Sequence, residues 1–174
     1  MLLLISGQPH SGKSTLIANT CESFYGFRTE EIVGEDQRRE GFSLISSDQQ
    51  TACLASIHSK SKARVSRYGV EIPALEEFLS SLRDPRRGEI SYIDEIGEME
   101  LLGANFPELV RRWEEKSSLL IATISEVFSH PLIDQLKREA SAQINLTVAT
   151  RDACEQQLLA MIAPIVEEER QDGY

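Results

Sequence analysis

The chain has few of the residues that would mark several common classes of protein. It contains three cysteines, three histidines and one tryptophan in 174 residues, and aromatic residues make up 6% of the sequence. Cys21, Cys53 and Cys154 are odd in number and widely spaced, so they predict buried free thiols rather than a disulfide framework or a cysteine metal site. The histidines are equally scattered, which argues against a histidine-based metal site.

Long hydrophobic runs and an excess of positive charge are also missing. No segment approaches the roughly 20 apolar residues that a membrane-spanning helix needs, and the apolar start at Met1 has no basic flank and is too short for a signal-peptide core. The net charge is −10, whereas nucleic-acid surfaces depend on lysine and arginine. We therefore expect a cytoplasmic protein without a membrane or nucleic-acid partner.

Length and composition indicate an ordinary globular protein. A chain of 174 residues can bury one substantial core but is short for two full domains. Hydrophobic residues at 41% and charged residues at 26% are typical of a soluble fold. We predict one domain over residues 1–174. An oligomer is compatible with the sequence, but no feature indicates one.

The most informative segment is GQPHSGKS, residues 7–14, which fits the phosphate-loop pattern G-x-x-x-x-G-K-[ST]. The apolar segment before it suits a buried parallel strand, and the segment after it can form a helix. Gly7 and Gly12 are expected to adopt backbone conformations that turn N–H groups towards phosphate oxygens. The helix N-terminus adds its positive dipole end. We predict that Lys13 reaches the β and γ phosphates and that Ser14 is a ligand of Mg²⁺.

A segment of about residues 27–72 interrupts the alternation of strands and helices. FRTEEI, GFSLISS and TACLASI are typical of antiparallel strands in a meander, which predicts an insertion at the sheet edge, or a lid. A basic cluster lies near the end of this segment and is formed by Lys60, Lys62, Arg64 and Arg67. It is either a solvated face or, in so acidic a chain, a phosphate contact. Arg64 or Arg67 would then reach the γ-phosphate, in cis or from a neighbouring subunit, and we name Arg64 as the catalytic candidate.

The second chemical landmark is EISYIDEIG, residues 89–97. Its apolar residues suit a buried strand, and Asp94 and Glu95 stand where that strand would end. Ligands of open α/β sheets lie at the carboxyl ends of strands, so both acids are expected to face the phosphate loop. Asp94 is predicted to hold Mg²⁺, directly or through water. Glu95 is predicted to orient and partly deprotonate an attacking water.

The remaining segments predict an alternation of helices and strands. Thr123 lies near the carboxyl end of its predicted strand. It either contacts the γ-phosphate or the attacking water, or it is an ordinary strand residue whose hydroxyl is hydrogen-bonded within the protein. Trp113 is predicted as a core or rim aromatic. The predicted elements are a helix from Pro73 to Leu82, a turn RDPRRGE with solvated arginines, a helix from Phe106 to Trp113, a strand from Ser118 to Ile124, a helix from Leu132 to Glu139, a strand from Ile144 to Thr150, and a final helix that Asp152 caps and that ends at Ile165 before a frayed polar tail.

Several of these motifs together resemble one family, the THEP-type or cancer-related nucleoside triphosphatases. GQPHSGKST, GFRTEEI, GFSLISSD, RYGVEIPALEEF, YIDEIGEMELL, LIATI and TRD occur in order over nearly the whole chain. The resemblance implies a three-layer α/β/α P-loop fold with a mostly parallel central sheet, an antiparallel β-meander insertion, and a strand between the phosphate-loop strand and the acidic strand. It also implies slow, Mg²⁺-dependent hydrolysis of ATP, GTP and other nucleoside triphosphates with little base selectivity.

The resemblance also implies roles for individual residues. It assigns metal binding to Ser14 and Asp94 and water activation to Glu95. It suggests unspecified roles for Arg28, Glu30, Glu31, Tyr68 and Gly69. His10 and Ser11 stand where relatives often have glycine, which predicts a stiffer loop. Phosphate binding is assigned to nine consecutive residues, which are Gly7, Gln8, Pro9, His10, Ser11, Gly12, Lys13, Ser14 and Thr15.

Two other functions remain open at this point. A nucleotide or small-molecule kinase would use a related fold and would hydrolyse its donor slowly without an acceptor. A nucleotide-dependent switch would use weak turnover as a timer for partner binding. Glu95 favours the hydrolase, because a hydrolase needs an acid that orients water. Fold by itself does not decide among the three.

Overall fold

The computed structural model describes residues 1–21 and 23–172, with side chains described as far as residue 168. Two short 3-10 helices lie at Glu100–Leu102 and Val148–Thr150. The strands and helices in chain order are β1 (Leu2–Gly7), α1 (Lys13–Cys21), β2 (Tyr25–Val33), β3 (Arg39–Ser46), β4 (Thr51–Ser56), β5 (Arg64–Val65), β6 (Tyr68–Val70), α2 (Ile72–Ser81), β7 (Ile90–Ile96), α3 (Phe106–Lys116), β8 (Leu119–Ser125), α4 (Pro131–Glu139), β9 (Ala142–Asn145) and α5 (Arg151–Asp172).

One sheet contains all nine strands of the described residues, in the order β5-β6-β4-β3-β2-β7-β8-β1-β9. The strands β2, β7, β8, β1 and β9 pair in parallel, whereas β3, β4, β6 and β5 extend the sheet in antiparallel pairs. The predicted α/β fold with its antiparallel meander is therefore confirmed. As expected, β8 lies between the phosphate-loop strand β1 and the acidic strand β7.

The sheet is covered on both faces, which explains the continuous apolar sequence of its central strands. Alternate side chains of β1 enter two different cores, with Leu2 and Leu4 on one face and Leu3 and Ile5 on the other. The first core includes residues of α2, α3 and α4, and the second includes residues of α1 and α5. Trp113 is fully buried in the first core, as predicted.

Residues 27–72 extend the sheet at its edge as an antiparallel meander, as predicted, but the first strand of the segment also belongs to the parallel part of the sheet. Strand β2 pairs in parallel with β7 along one edge and antiparallel with β3 along the other. Sequence patterns do not reveal such a strand, since both pairings use the same alternation of side chains.

Two predictions about the C-terminal third were wrong. The last strand ends at Asn145 rather than Thr150, because Thr147 and Thr150 form a capping box that starts a helical turn. Helix α5 extends beyond Ile165 to Asp172, since the glutamates and arginine of the supposed tail are good helix formers. The last two residues of that segment, 173 and 174, lie outside the described residues.

The arginines of the RDPRRGE turn were expected to be solvated, but one of them is fixed. Arg83 makes two hydrogen bonds of 2.7 Å to the Glu89 carboxylate, and its guanidinium lies 3.6 Å from the centre of the Tyr25 ring. No helix in the described part of the chain is both long enough and apolar enough to cross a membrane.

Candidate active site

The phosphate loop connects the carboxyl end of β1 to the first turn of α1. Gly12 has a φ of 103°, a value that side-chain-bearing residues rarely adopt. Gly7 is required for a different reason, because there is no room for a side chain at this position. A Cβ on Gly7 would lie 2.6 Å from the Leu146 carbonyl oxygen and 2.6 Å from the Ser11 hydroxyl. His10 has a φ of 64°, so it takes the left-handed conformation for which glycine is favoured.

Lys13 begins α1 and is only 8% exposed. Its ammonium donates hydrogen bonds to the carbonyls of Gly7, at 3.0 Å, and Gln8, at 3.4 Å. The same nitrogen lies 3.9 Å from Glu95 Oε2. A cation and a carboxylate from opposite sides of β8 therefore meet above the phosphate loop, as the strand-end argument predicted.

Asp94 is buried at the end of β7, with 2% exposure. Its Oδ1 accepts a hydrogen bond of 2.5 Å from the Thr123 hydroxyl on the adjacent strand β8. Its Oδ2 is buried and has no hydrogen-bond partner among the described residues. Burial raises the pKa of Asp94, and the nearby hydroxyls of Thr123 and Ser14 and the Lys13 charge oppose that rise. Of the two roles considered for Thr123, the geometry favours the structural one.

Glu95 and Glu100 are two further carboxyl groups at the site. Burial raises the pKa of Glu95, while Lys13 lowers it and Asp94 raises it further. Glu100 is 3% exposed and accepts a hydrogen bond of 2.9 Å from the Thr29 hydroxyl. Burial raises the pKa of Glu100 to about 7. Glu100 was not predicted as a site residue, although it lies within YIDEIGEMELL, one of the motifs that carry the family resemblance.

These groups surround an open cavity of about 660 Å³. Six of the nine predicted phosphate-binding residues line it, and they are Pro9, His10, Gly12, Lys13, Ser14 and Thr15. The remaining three, Gly7, Gln8 and Ser11, form the loop beneath. The Gln8 amide donates to Glu126 at 3.2 Å, and the Ser11 hydroxyl oxygen is buried without a hydrogen-bond partner in the described chain.

The structure does not bring the predicted arginine to this cavity. Arg64 is exposed on β5, where it donates a hydrogen bond to the Arg67 carbonyl, and only its neighbour Val65 lines the cavity. Lys60, Lys62 and Arg67 are also exposed, as expected for a solvated face. A catalytic role for Arg64 stays a prediction that would need a movement of β5 or contact with another molecule.

Two other arginines line the cavity instead, and sequence reasoning missed the first of them. Arg39 donates to the Glu31 carboxylate at 2.5 Å and to the Tyr68 hydroxyl at 3.0 Å. Arg151 donates from Nε to the Ser11 carbonyl at 2.8 Å and lies against Gly12. The sequence predicts residues 150–152 as the start of the final helix, with the base pocket as the alternative, and Arg151 does begin α5. A position in the sequence could not reveal its contact with a loop 140 residues away.

The combination of fold and site defines a class of protein. A strand, a phosphate loop and a helix stand two strands away from a buried aspartate in a parallel sheet, which is the arrangement of P-loop nucleotide-binding proteins. A family model described as NTPase matches residues 2–159. The chain belongs to this family of nucleoside triphosphatases, and the resemblance drawn from the sequence is confirmed.

Several relatives cover nearly the whole chain. The nucleoside-triphosphatase THEP1 of Aquifex aeolicus (strain VF5) is 33% identical over 177 residues, covering 93% of this chain and 99% of the relative. The protein of the same name from Archaeoglobus fulgidus is 36% identical, covering 80% of this chain and 86% of the relative. The crystal structure of Aquifex aeolicus THEP1 superposes with a TM-score of 0.75 at 32% identity, covering 92% of this chain and 98% of that one.

A second solved structure supports the fold alone. The solution structure of a human cancer-related nucleoside triphosphatase superposes with a TM-score of 0.74 at 23% identity, covering 92% of this chain and 96% of that one. The same arrangement of strands and helices is therefore compatible with extensive sequence divergence.

Proposed function

We propose that this protein hydrolyses nucleoside triphosphates to the diphosphate and phosphate, slowly, with Mg²⁺ and with little selectivity for the base. The observation that carries the proposal is the approach of Lys13 Nζ to within 3.9 Å of Glu95 Oε2. It brings the cation that binds the terminal phosphates next to an acid that can orient water. The membership of the chain in a nucleoside-triphosphatase family, and the names of its relatives, support the same reaction.

The residues at the end of β7 suit a magnesium ion. Asp94 offers a buried carboxylate oxygen, Oδ2, that has no hydrogen-bond partner among the described residues, and the Ser14 hydroxyl is close enough to oppose the rise of its pKa. Carboxylate and hydroxyl oxygens are the ligands that Mg²⁺ takes beside nucleotide phosphates. We assign metal binding to Ser14 and Asp94, where the ion would neutralise charge on the β and γ phosphates.

The protein groups divide the remaining work. The N–H groups of the phosphate loop and Lys13 hold the triphosphate and offset the charge that builds up on its terminal oxygens. Glu95 accepts a hydrogen bond from the attacking water, aligns it with the γ-phosphorus and takes up the proton that the water loses as it attacks. The bond from the γ-phosphorus to the bridging oxygen breaks as the water oxygen attacks, and the diphosphate leaves with that oxygen.

Two features support slow and unselective turnover. Arg39 lines the cavity but is already bound to Glu31 and Tyr68, so it is not free to act as an arginine finger, a group that accelerates such reactions roughly 10³- to 10⁵-fold. Arg151 lies against Gly12 at the cavity wall. A planar guanidinium stacks on any base without reading its hydrogen-bonding edge.

The proposal is tested by measuring phosphate release from ATP and GTP with Mg²⁺, for the wild type and Glu95→Gln. We expect steady release from both nucleotides by the wild type. We expect Glu95→Gln to bind a non-hydrolysable nucleotide with unchanged affinity and to lose hydrolysis. Release at the wild-type rate by Glu95→Gln would remove this residue as the water activator.

Transfer to a small-molecule acceptor is the second candidate, and one observation favours it. Arg39, Phe42 and Val65 line the same cavity as Glu95, and its volume of about 660 Å³ can hold more than a triphosphate and a water molecule. The same assay is therefore repeated with nucleosides, nucleoside monophosphates and other small metabolites. A large acceptor-dependent transfer of phosphate would identify a kinase whose hydrolysis is a side reaction.

A further inference from the structure

Glu100 is a buried carboxyl group that the proposed mechanism does not use. It lies in the 3-10 helix Glu100–Leu102 that follows β7, and it lines the same cavity as Lys13 and Glu95. Its exposure of 3% is unusual for glutamate, which is almost never fully buried without a partner. Its partner here is Thr29 on β2, whose hydroxyl donates to Glu100 Oε1 at 2.9 Å. Thr29 also lines the cavity.

The second carboxyl oxygen of Glu100 lies beside Gly97, and so does one oxygen of Glu95. A Cβ placed on Gly97 would lie 2.7 Å from Glu100 Oε2 and 3.2 Å from Glu95 Oε1. Oxygens of both carboxyl groups therefore border the same small space, which a side chain at position 97 would fill. The other oxygen of Glu95, Oε2, is the one that approaches Lys13. Each oxygen of Glu95 thus faces a different group.

We propose that Glu100 is a positioning residue, which Thr29 holds in place and which orients the Glu95 carboxylate beside Gly97. This inference rests on the proposed hydrolytic function, since it concerns the acid that aligns the attacking water. Glu100 does not touch the water in this arrangement and acts only through Glu95. The hydroxyl of Thr29 occupies Oε1, so Oε2 is the atom that meets Glu95, directly or through one water molecule.

The protonation of Glu100 suits this role. Two ionised carboxylates so close together would repel each other, whereas a neutral carboxyl donates a hydrogen bond to an ionised one. Burial raises the pKa of Glu100 to about 7, and the neighbouring charges of Glu95 and Asp94 add to the rise. Burial therefore favours the neutral form of Glu100, which is the form that can donate a hydrogen bond.

Three variants test the inference by steady-state hydrolysis of ATP. Glu100→Leu removes the donor, so we expect kcat to fall roughly 10-fold or more with KM nearly unchanged, as for the loss of a hydrogen bond to a charged group. Glu100→Gln keeps both a donor and an acceptor, and we expect it to recover most of that rate. Thr29→Val removes only the hydroxyl that holds Glu100 in place, and we expect a several-fold fall in kcat. Glu77→Gln, an exposed acid on α2, is the matched control.

Action through Glu95 is tested in a double variant. Adding Glu100→Leu to Glu95→Asp, whose shorter side chain withdraws its carboxylate from Glu100 but can still accept a hydrogen bond from water, should lower kcat no further. A wild-type kcat in folded Glu100→Leu would overturn the inference, and so would a Glu100→Gln variant as slow as Glu100→Leu. Where Glu100→Leu does not fold, an unchanged kcat in Thr29→Val overturns it equally.

The outcome also separates this inference from the proposed function. If Glu95→Gln abolishes hydrolysis while Glu100→Leu and Thr29→Val hydrolyse ATP normally, the hydrolase proposal stands and only the role of Glu100 is wrong. If Glu95→Gln hydrolyses ATP at the wild-type rate, the assignment of Glu95 fails first, and the inference about Glu100 fails with it.

Discussion

The Thr123 hydroxyl donates a hydrogen bond of 2.5 Å to Asp94 Oδ1, and both side chains are buried on adjacent strands. This contact fixes the rotation of the carboxylate and leaves Oδ2 without a partner among the described residues, as the proposed Mg²⁺ site requires. Groups that orient metal ligands in this way typically contribute about 10- to 100-fold to metal affinity. We therefore expect Thr123→Val to raise the Mg²⁺ concentration for half-maximal hydrolysis by roughly 10-fold, with a near-normal rate at saturating Mg²⁺.

Titration of ATP hydrolysis with Mg²⁺ measures this effect directly. Thr123→Ser, which keeps the hydroxyl, is the matched control and should titrate like the wild type. A Thr123→Val variant with an unaltered Mg²⁺ dependence would show that Asp94 does not need this hydrogen bond, or that Asp94 is not a metal ligand.

Lys13 supplies a positive charge inside the loop that is predicted to bind phosphate. Its ammonium now contacts the Gly7 and Gln8 carbonyls, so a triphosphate would find the charge already in place. We expect Lys13→Ala to weaken the binding of a non-hydrolysable ATP analogue by at least 10-fold, because a charge-assisted hydrogen bond to phosphate is worth about 1.5–3 kcal/mol. Isothermal titration calorimetry checks this expectation. Unchanged affinity would remove Lys13 from nucleotide binding.

Arg151 connects the start of α5 to the phosphate loop through its hydrogen bond to the Ser11 carbonyl. If its guanidinium stacks on the base, Arg151→Ala should raise KM for ATP and GTP by a similar factor, roughly 5- to 30-fold, the equivalent of about 1–2 kcal/mol for a desolvated cation–π contact. The kcat values should change little. A loss confined to one nucleotide would instead indicate that Arg151 reads the edge of the base.

The buried Glu100 carboxyl should make stability depend on pH. Its pKa is raised from 4.5 to about 7 in the folded protein, so between these values the unfolded chain releases a proton that the folded chain keeps. Rising pH then favours the unfolded state, and the free energy of unfolding falls by about 1.4 kcal/mol per pH unit across this window. Below pH 4.5 Glu100 is protonated in both the folded and the unfolded state, so it no longer makes the free energy of unfolding depend on pH.

Urea unfolding of the wild type and Glu100→Gln at pH 5 and pH 8 tests this. Since glutamine does not ionise, the variant should gain stability relative to the wild type on going from pH 5 to pH 8, by about 2–3 kcal/mol. The comparison between the two proteins cancels the titration of all other groups. A stability difference that is the same at both pH values would contradict the raised pKa.

Arg83 ties the turn before β7 to the aromatic ring of Tyr25. We expect Arg83→Ala to lower the free energy of unfolding by about 1–2 kcal/mol, through loss of the two-point contact with Glu89 and of the cation–π contact. Arg86→Ala in the same turn is the control and should change stability by less. Equal losses in thermal unfolding would mean that the Arg83 contacts contribute nothing specific.

Patterns local in the chain predicted much of this protein. The loop at residues 7–14, the acidic pair Asp94 and Glu95, and the buried strands before each were recognisable because a phosphate loop and a buried strand each have a local signature. The closeness of Lys13 and Glu95 also followed, since parallel strands bring their carboxyl ends to one edge of the sheet.

The rest depended on contacts between segments far apart in the chain. The double pairing of β2, the approach of Arg151 to Ser11 across 140 residues, and the choice of Arg39 rather than Arg64 at the cavity all depend on how the sheet is assembled. The concentration of positive charge made the cluster around Arg64 the candidate for phosphate contact. Charge alone does not reveal which side chains of a strand face the site.

The sequence by itself determined the class of ligand and the family, because the phosphate loop and the acidic strand are short segments with recognisable local signatures. Only the tertiary structure decided the environment of each acid. Glu100 became a buried carboxyl because the fold places it beside Thr29 and Gly97. Its pKa is raised by that burial, which depends on the fold rather than on position in the chain.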